Sequence, residues 1–406
     1  MRISTSSIYN ANVSLLNQQQ AQLLHTQQQI STQRRILTPA DDPIAAARVL
    51  EISQADATNS QYAINRNTVQ HSTSLAEGVL QSVTNLLQDV RTVAVNAGNG
   101  GLNNSDKQTL ATDLNGRLEE LHTLANSTDG VGNYLFSGFQ GRTQPFANGI
   151  AGVQYLTDDG QRLIQVGSTR QLAASDSGAD IFMRVKNGNG TFIAQATTAN
   201  TGSGIVSQGV VTNPALLTGN SYQVAFSVAT GVTTYSVTNT TLGAPVAPGT
   251  PIPYVSGQAI SFDGLQFDIT GVPATGDVFT VAPSTNESIF ETISNLIAAL
   301  RTPNPLGGAV AAADFTNSNN QALNNLDRGI DNVLAVRASL GTRLRELDSL
   351  QSAGENMGVQ FKQTLSQLQD VDFNKAISDL AQQKTSLEAA QKSFLAVSGL
   401  SLFDFM

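Results

Sequence analysis

Two runs of apolar residues at seven-residue spacing, one at each end of the chain, restrict what it can fold into. Tyr9, Leu16, Leu23, Ile30 and Leu37 make the first run; Phe373, Leu380, Leu387 and Phe394 make the second, widened by Ala376, Ile377, Ala390 and Val397. Seven residues are close to two helical turns, so each run marks one apolar stripe on an amphipathic helix. The other faces are polar: Gln-rich and nearly uncharged at the first end, and Gln382, Gln383, Lys384, Glu388, Gln391 and Lys392 at the second. A stripe of this width needs a partner before its helix is stable in water. Each end therefore predicts the partner of the other, as a coiled-coil pair, with everything between them forming one long excursion.

That excursion is too long for a single core, since 406 residues predict two or three domains. Solubility comes from amides and hydroxyls, because only 13% of residues are charged. A net charge of −9 offers no basic face to a phosphate backbone, which argues against nucleic acid as a partner. With no cysteine there is neither a disulfide framework nor a thiolate metal site. No apolar run approaches the roughly 20 residues that span a bilayer. Residues 1–20 lack the continuous apolar region of a Sec-type signal, so export, if it occurs, is expected by another route.

The first helix is predicted over about Ser7 to Arg35, stopping near Thr38-Pro39. Ala40-Asp41-Asp42-Pro43 then restarts a helix, with Asp42 as the cap, Pro43 at the first helical position and both carboxylates at the positive end of the dipole. From Pro43 to about Val95 no proline interrupts the period of Val49, Ile52, Val69, Val83 and Val90. At ~1.5 Å per residue that is a rod of about 80 Å. Gly98-Asn99-Gly100-Gly101 breaks it, and Ser105-Asp106 is expected to cap a return helix carrying Leu110, Leu114, Leu118 and Leu121. The glycine-rich break lacks the Lys-Ser/Thr of a phosphate-binding loop and reads as a helix reversal.

Composition changes at Asp129-Gly130, where short alternating runs divided by turn signals begin. Three hairpins are predicted: Val153 to Leu156 with Arg162 to Val166 across Asp158-Asp159-Gly160, Tyr222 to Val228 with Thr233 to Val237, and Ala259 to Phe262 with Leu265 to Ile269 across Asp263-Gly264. Helical pattern returns from Asn286 through Leu300, and a second rod starts near Phe315, running through Leu326, Val333, Leu340 and Leu347 toward the terminal helix. The fold class expected is α+β: an elongated, hairpin-like chain with paired terminal helices, an α-helical rod bundle and an inserted mostly-β domain. The expected divisions are 1–41, 42–139, 140–284 for the insertion, 285–369 and 370–406.

Catalytic chemistry finds little support. His25, His71 and His122 fall on three different predicted helices, without cysteine and without His-x-x-x-His or His-Glu-x-x-His spacing. There is no Gly-x-Ser-x-Gly elbow. No enzyme activity, cofactor or metal is expected, and the adjacent Asp41 and Asp42 read as a capped turn rather than a ligand pair. What the sequence displays is surface for association.

Three motifs, in order, give a resemblance. Gln33-Arg34-Arg35-Ile36-Leu37-Thr38-Pro39-Ala40-Asp41-Asp42-Pro43 resembles the N-terminal signature of the flagellin superfamily, although Thr32-Gln33 stands where flagellins usually carry Ser-Gly. Asn133-Tyr134-Leu135-Phe136-Ser137-Gly138 followed by Pro145-Phe146 is similar to the hook-filament junction branch of that superfamily. Arg337-Ala338-Ser339-Leu340-Gly341-Thr342-Arg343-Leu344 resembles its C-terminal helix, and the ending Leu400-Ser401-Leu402-Phe403-Asp404-Phe405 is closer to the junction branch than to filament flagellins. The insertion matches only loosely, through Gly276-Asp277-Val278-Phe279.

The resemblance implies a structural subunit of the bacterial flagellum, an extracellular protein exported through the flagellar type III apparatus and assembled by its terminal helices. Its implied partners are a hook-associated junction protein on the hook side, flagellin on the filament side, copies of itself, and an export chaperone gripping Leu387, Phe394, Val397 and Leu400. Neither nucleic acid nor membrane is among them. The competing expectations are a filament-forming flagellin, and a surface subunit whose β insertion binds glycans.

Overall fold

A computed structural model describes residues 5–150, 152–246, 251–302 and 307–399. Among the described residues, six α-helices lie outside the insertion: α1 (Thr5–Thr32), α2 (Pro43–Ala97), α3 (Asn104–Ala125), α4 (Ile289–Arg301), α5 (Gly308–Gln369) and α6 (Phe373–Gly399). Antiparallel strands occupy the stretch between α3 and α4. The chain forms two compact units, Met1–Asn65 with Ser349–Met406, and Arg66–Asp348, and α2 and α5 contribute to both.

In the larger unit the apolar faces anticipated from the sequence close on one another. Leu80, Val83, Leu87 and Val90 of α2, Leu114 and Leu121 of α3, Ile293 and Leu296 of α4, and Leu326, Val333 and Leu340 of α5 form one buried core. Phe136, Phe146, Phe182 and Phe290 extend it, with ring centroids 5.4–5.9 Å apart. A second core fills the insertion: Val224, Phe226, Phe267, Ile269, Phe279 and Val281. Its larger sheet places Val278–Pro283 between Tyr222–Ala229 and Phe192–Ala196. Two predicted hairpins form as expected, turning at Thr230-Gly231 and Asp263-Gly264, all four residues having positive φ as a tight two-residue turn requires.

The first predicted hairpin does not form. Gly152–Tyr155 pairs backward with Phe146–Gly149, and Leu163–Gln165 pairs forward with Gln171–Ala173. The Asp158 carboxylate is already taken up by the backbone N–H groups of Phe139 and Gly160 at 3.0 and 2.8 Å, which closes a loop instead of a turn between strands. Gly138 sits beside it at φ +63°, where a Cβ would run into the Asp158 carbonyl oxygen, so glycine is required at this point of the motif.

Helix ends differ where side-chain caps compete. Asn103, not Ser105, caps α3, in a reciprocal capping box with Asp106. Asn286–Glu287 pairs as a short strand with Val185–Lys186, so α4 starts later, capped by Ser288. α5 begins at Gly308, before Phe315, and the last rod is broken from α6 at Asp370-Val371-Asp372. α1 stops at Thr32 rather than Arg35.

Candidate assembly surface

α1 and α6 lie antiparallel, with Tyr9 against Phe394 near one end, ring centroids 5.3 Å apart, and an Arg34–Asp370 β-bridge at the other. The predicted stripes therefore meet. They do not become a closed core. Leu16, Leu23, Ile30, Leu380, Leu387 and Phe394 are half-buried, Tyr9 is 54% exposed and Phe373 is 44% exposed, whereas core leucines of the larger unit such as Leu80 are fully enclosed. Among the described residues, only Thr26 and Ala376 are buried along this pair. Further apolar side chains of the same unit face outward, including Leu24, Leu50, Val359 and Leu395. Apolar surface left exposed in this way is costly in water.

Leu37 is a correction. It lies beyond the end of α1, because the chain bends at Gln33 and the helical period ends there. Gln33 adopts φ +61°; Arg34 N–H donates to Gln29 O at 3.1 Å and Gln33 N–H to Ile30 O at 3.4 Å. This is a Schellman-type cap with glutamine where glycine is usual. Thr32-Gln33 thus ends α1 in a bend without a glycine.

Beyond the bend the chain ties itself to the α5–α6 connection. Arg35 N–H donates to Gln369 O at 2.7 Å and Val371 N–H to Gln33 O at 3.1 Å, while the Arg35 guanidinium reaches Leu368 O at 2.9 Å and Asp42 at 3.2 Å. Asp42 caps α2 through Ala45 N–H at 3.0 Å, as its sequence position suggested. Asp41 accepts from Thr38 and Leu37 N–H at 2.8 and 2.9 Å and pairs with His25 at 3.1 Å; the Thr38 and Leu37 bonds hold its carboxyl below the ordinary value. Both aspartates are thus engaged in the turn. Sequence reasoning missed the tie, whose only local signal is the charge pattern Arg35, Asp41, Asp42.

Of the four residues assigned to a chaperone, Leu387 and Phe394 are half-buried in the pair; the Val397 side chain and Leu400 lie outside the described residues. His71 is exposed on α2, and His122 meets the edge of Phe290 at 6.4 Å. Among the described residues, no group of three or more His, Cys, Asp or Glu is placed to hold a metal ion, and no helix is long and apolar enough to cross a membrane.

Comparison with known proteins bears on what such a surface assembles. The bacterial flagellin N-terminal helical region matches residues 3–141. Flagellar hook-associated protein 3 of Salmonella typhimurium is 32% identical over 406 residues, covering 99% of each chain. Its Escherichia coli counterpart is 31% identical over 412 residues with the same coverage. The crystal structure of the flagellar junction protein FlgL from Legionella pneumophila aligns with 80% of this chain and 100% of its own, at TM-score 0.72 and 32% identity.

Proposed function

Because the chain belongs to the flagellar hook-associated protein 3 family, we propose that it is built into the flagellum through α1 and α6. It is a structural subunit of the external bacterial flagellum, exported by the flagellar system, and it acts at the junction between hook and filament. The observation that supports assembly through the ends is the half-buried pair of stripes: Tyr9, Leu16, Leu23 and Ile30 against Leu380, Leu387 and Phe394 hide only part of their apolar surface in one subunit. Neighbouring subunits would cover the rest. Leu37 joins this set through the turn rather than the stripe, and Phe373 through its exposed ring.

In this reading residues 1–41 and 370–406 form the assembling core, 42–139 and 285–369 the supporting helices, and 140–284 an inserted domain. The partners are a hook-associated protein on one side, flagellin on the other and copies of the chain itself. Before export, a chaperone takes the Leu387, Phe394, Val397 and Leu400 stripe. Sedimentation of the full-length protein with and without short filament seeds tests the proposal. A subunit that stays soluble alone and binds seed ends in limited amount fits a junction adaptor. Long filaments pelleting from the protein alone would overturn it in favour of a flagellin.

A further inference from the structure

The seam between α1 and α6 contains a polar layer. Three residues after successive members of the α1 stripe stand Asn12, Gln19 and Thr26, positions that a stable two-helix seam would fill with apolar side chains. Gln19 lies ten residues in from Tyr9 and Gln383 eleven residues back from Phe394, so the Tyr9–Phe394 contact puts the two glutamines level in the antiparallel pair. The Oε1 atoms of both are enclosed from solvent and accept no hydrogen bond. Stripping water from an acceptor without supplying a donor opposes closure of the seam.

We propose that Gln19 and Gln383 keep the α1/α6 pair close to the balance between open and closed, so that closure is completed only when neighbouring subunits cover its apolar flanks. This rests on the reading that the terminal helices assemble, and it names the two side chains that set the threshold. The hydrogen bonds of Gln33 and Arg35 to Val371 and Gln369 keep the two helices tethered at their base while the seam opens. The arrangement suits a subunit that must not bury its ends prematurely and whose neighbours provide the missing apolar cover.

The test is peptide-resolved hydrogen exchange on the full-length monomer, with monomer status verified by sedimentation. Three proteins are compared: the natural sequence, Gln19→Leu with Gln383→Leu, and a control, Gln18→Leu with Gln382→Leu, whose side chains are exposed. Removing two unpaired acceptors should slow exchange in α1 and α6 by roughly tenfold or more, with no comparable change in the control. Gln383→Leu alone should fall between, and it replaces the double variant if that variant self-associates. Seam variants that exchange like the natural protein, or a control slowed equally, overturn the proposal. Failure of the natural protein to bind filament seeds would instead refute the assembly reading and leave the exchange result standing.

Discussion

Truncating Phe394 to alanine should cost little in an isolated subunit and much in an assembled one. The ring is half-buried and its aromatic neighbour is Tyr9, at 5.3 Å and an interplanar angle of 49°. A fully buried phenylalanine hides about 150–250 Å², and a ring left roughly a tenth to a third exposed hides at least about two-thirds of that, so at about 25 cal/mol per Å² its burial contributes roughly 2.5–4 kcal/mol. Alanine retains part of this, which limits the loss in the free protein to about 2 kcal/mol. Complete enclosure by neighbours raises the cost of truncation to about 3–5 kcal/mol. Phe182 is the internal reference, fully buried among Phe136, Phe146 and Phe290, and Phe182→Ala should show that larger loss without any partner. The assay pairs urea unfolding of the verified monomer with titration of filament-seed ends. An additional 2 kcal/mol on assembly appears as a roughly 30-fold weaker half-saturation. A loss of 3–5 kcal/mol in the monomer, or unchanged seed binding, would refute the reasoning, because the ring would then be enclosed already or not used.

Other perturbations address the framework behind this surface. Gln33→Gly should raise stability by about 0.5–1 kcal/mol, since glycine adopts φ +61° without the side-chain penalty; thermal melting of the full chain measures it. Asp277→Ala should destabilise the insertion by about 2–4 kcal/mol in urea unfolding, because the buried carboxylate accepts N–H bonds from Thr201, Gly202 and Ala274; Asp277→Asn, which keeps one acceptor oxygen, should lose less. Asp41, held below its ordinary value of 3.8 chiefly by the Thr38 N–H and then by Leu37, stabilises the folded turn above that value and ceases to do so as pH falls through its folded value. Exchange of the Leu37 and Thr38 amides should therefore accelerate below about pH 3.8 relative to an Asp41→Asn control, and a pH-independent difference would remove Asp41 from this role.

The periodic features were legible because periodicity is a local property. The stripes of α1 and α6, the uninterrupted length of α2 and the Asp263-Gly264 hairpin each follow from spacing or turn chemistry within a few residues. The flagellin-like motifs likewise lie in short contiguous stretches, and kinship over 99% of the chain supports the junction branch they suggested. The failed hairpin across Asp158 shows where such reasoning stops. Its turn signal is genuine, but Phe139, 19 residues earlier, takes the same carboxylate and redirects the strands.

Local spacing and motifs establish that two helical ends seek each other, that helices enclose a mostly-β insertion, and that the motifs carry no catalytic constellation. How far the ends satisfy one another is a matter of packing. Half-burial of Leu387 and Phe394, the enclosed oxygens of Gln19 and Gln383, and the backbone ties of Gln33 and Arg35 to the α5–α6 connection depend on segments more than 300 residues apart in sequence. Heptad spacing specifies which face of a helix is apolar. The area and hydrogen bonds available on the opposing helix specify whether that face is covered within one subunit or left for the next.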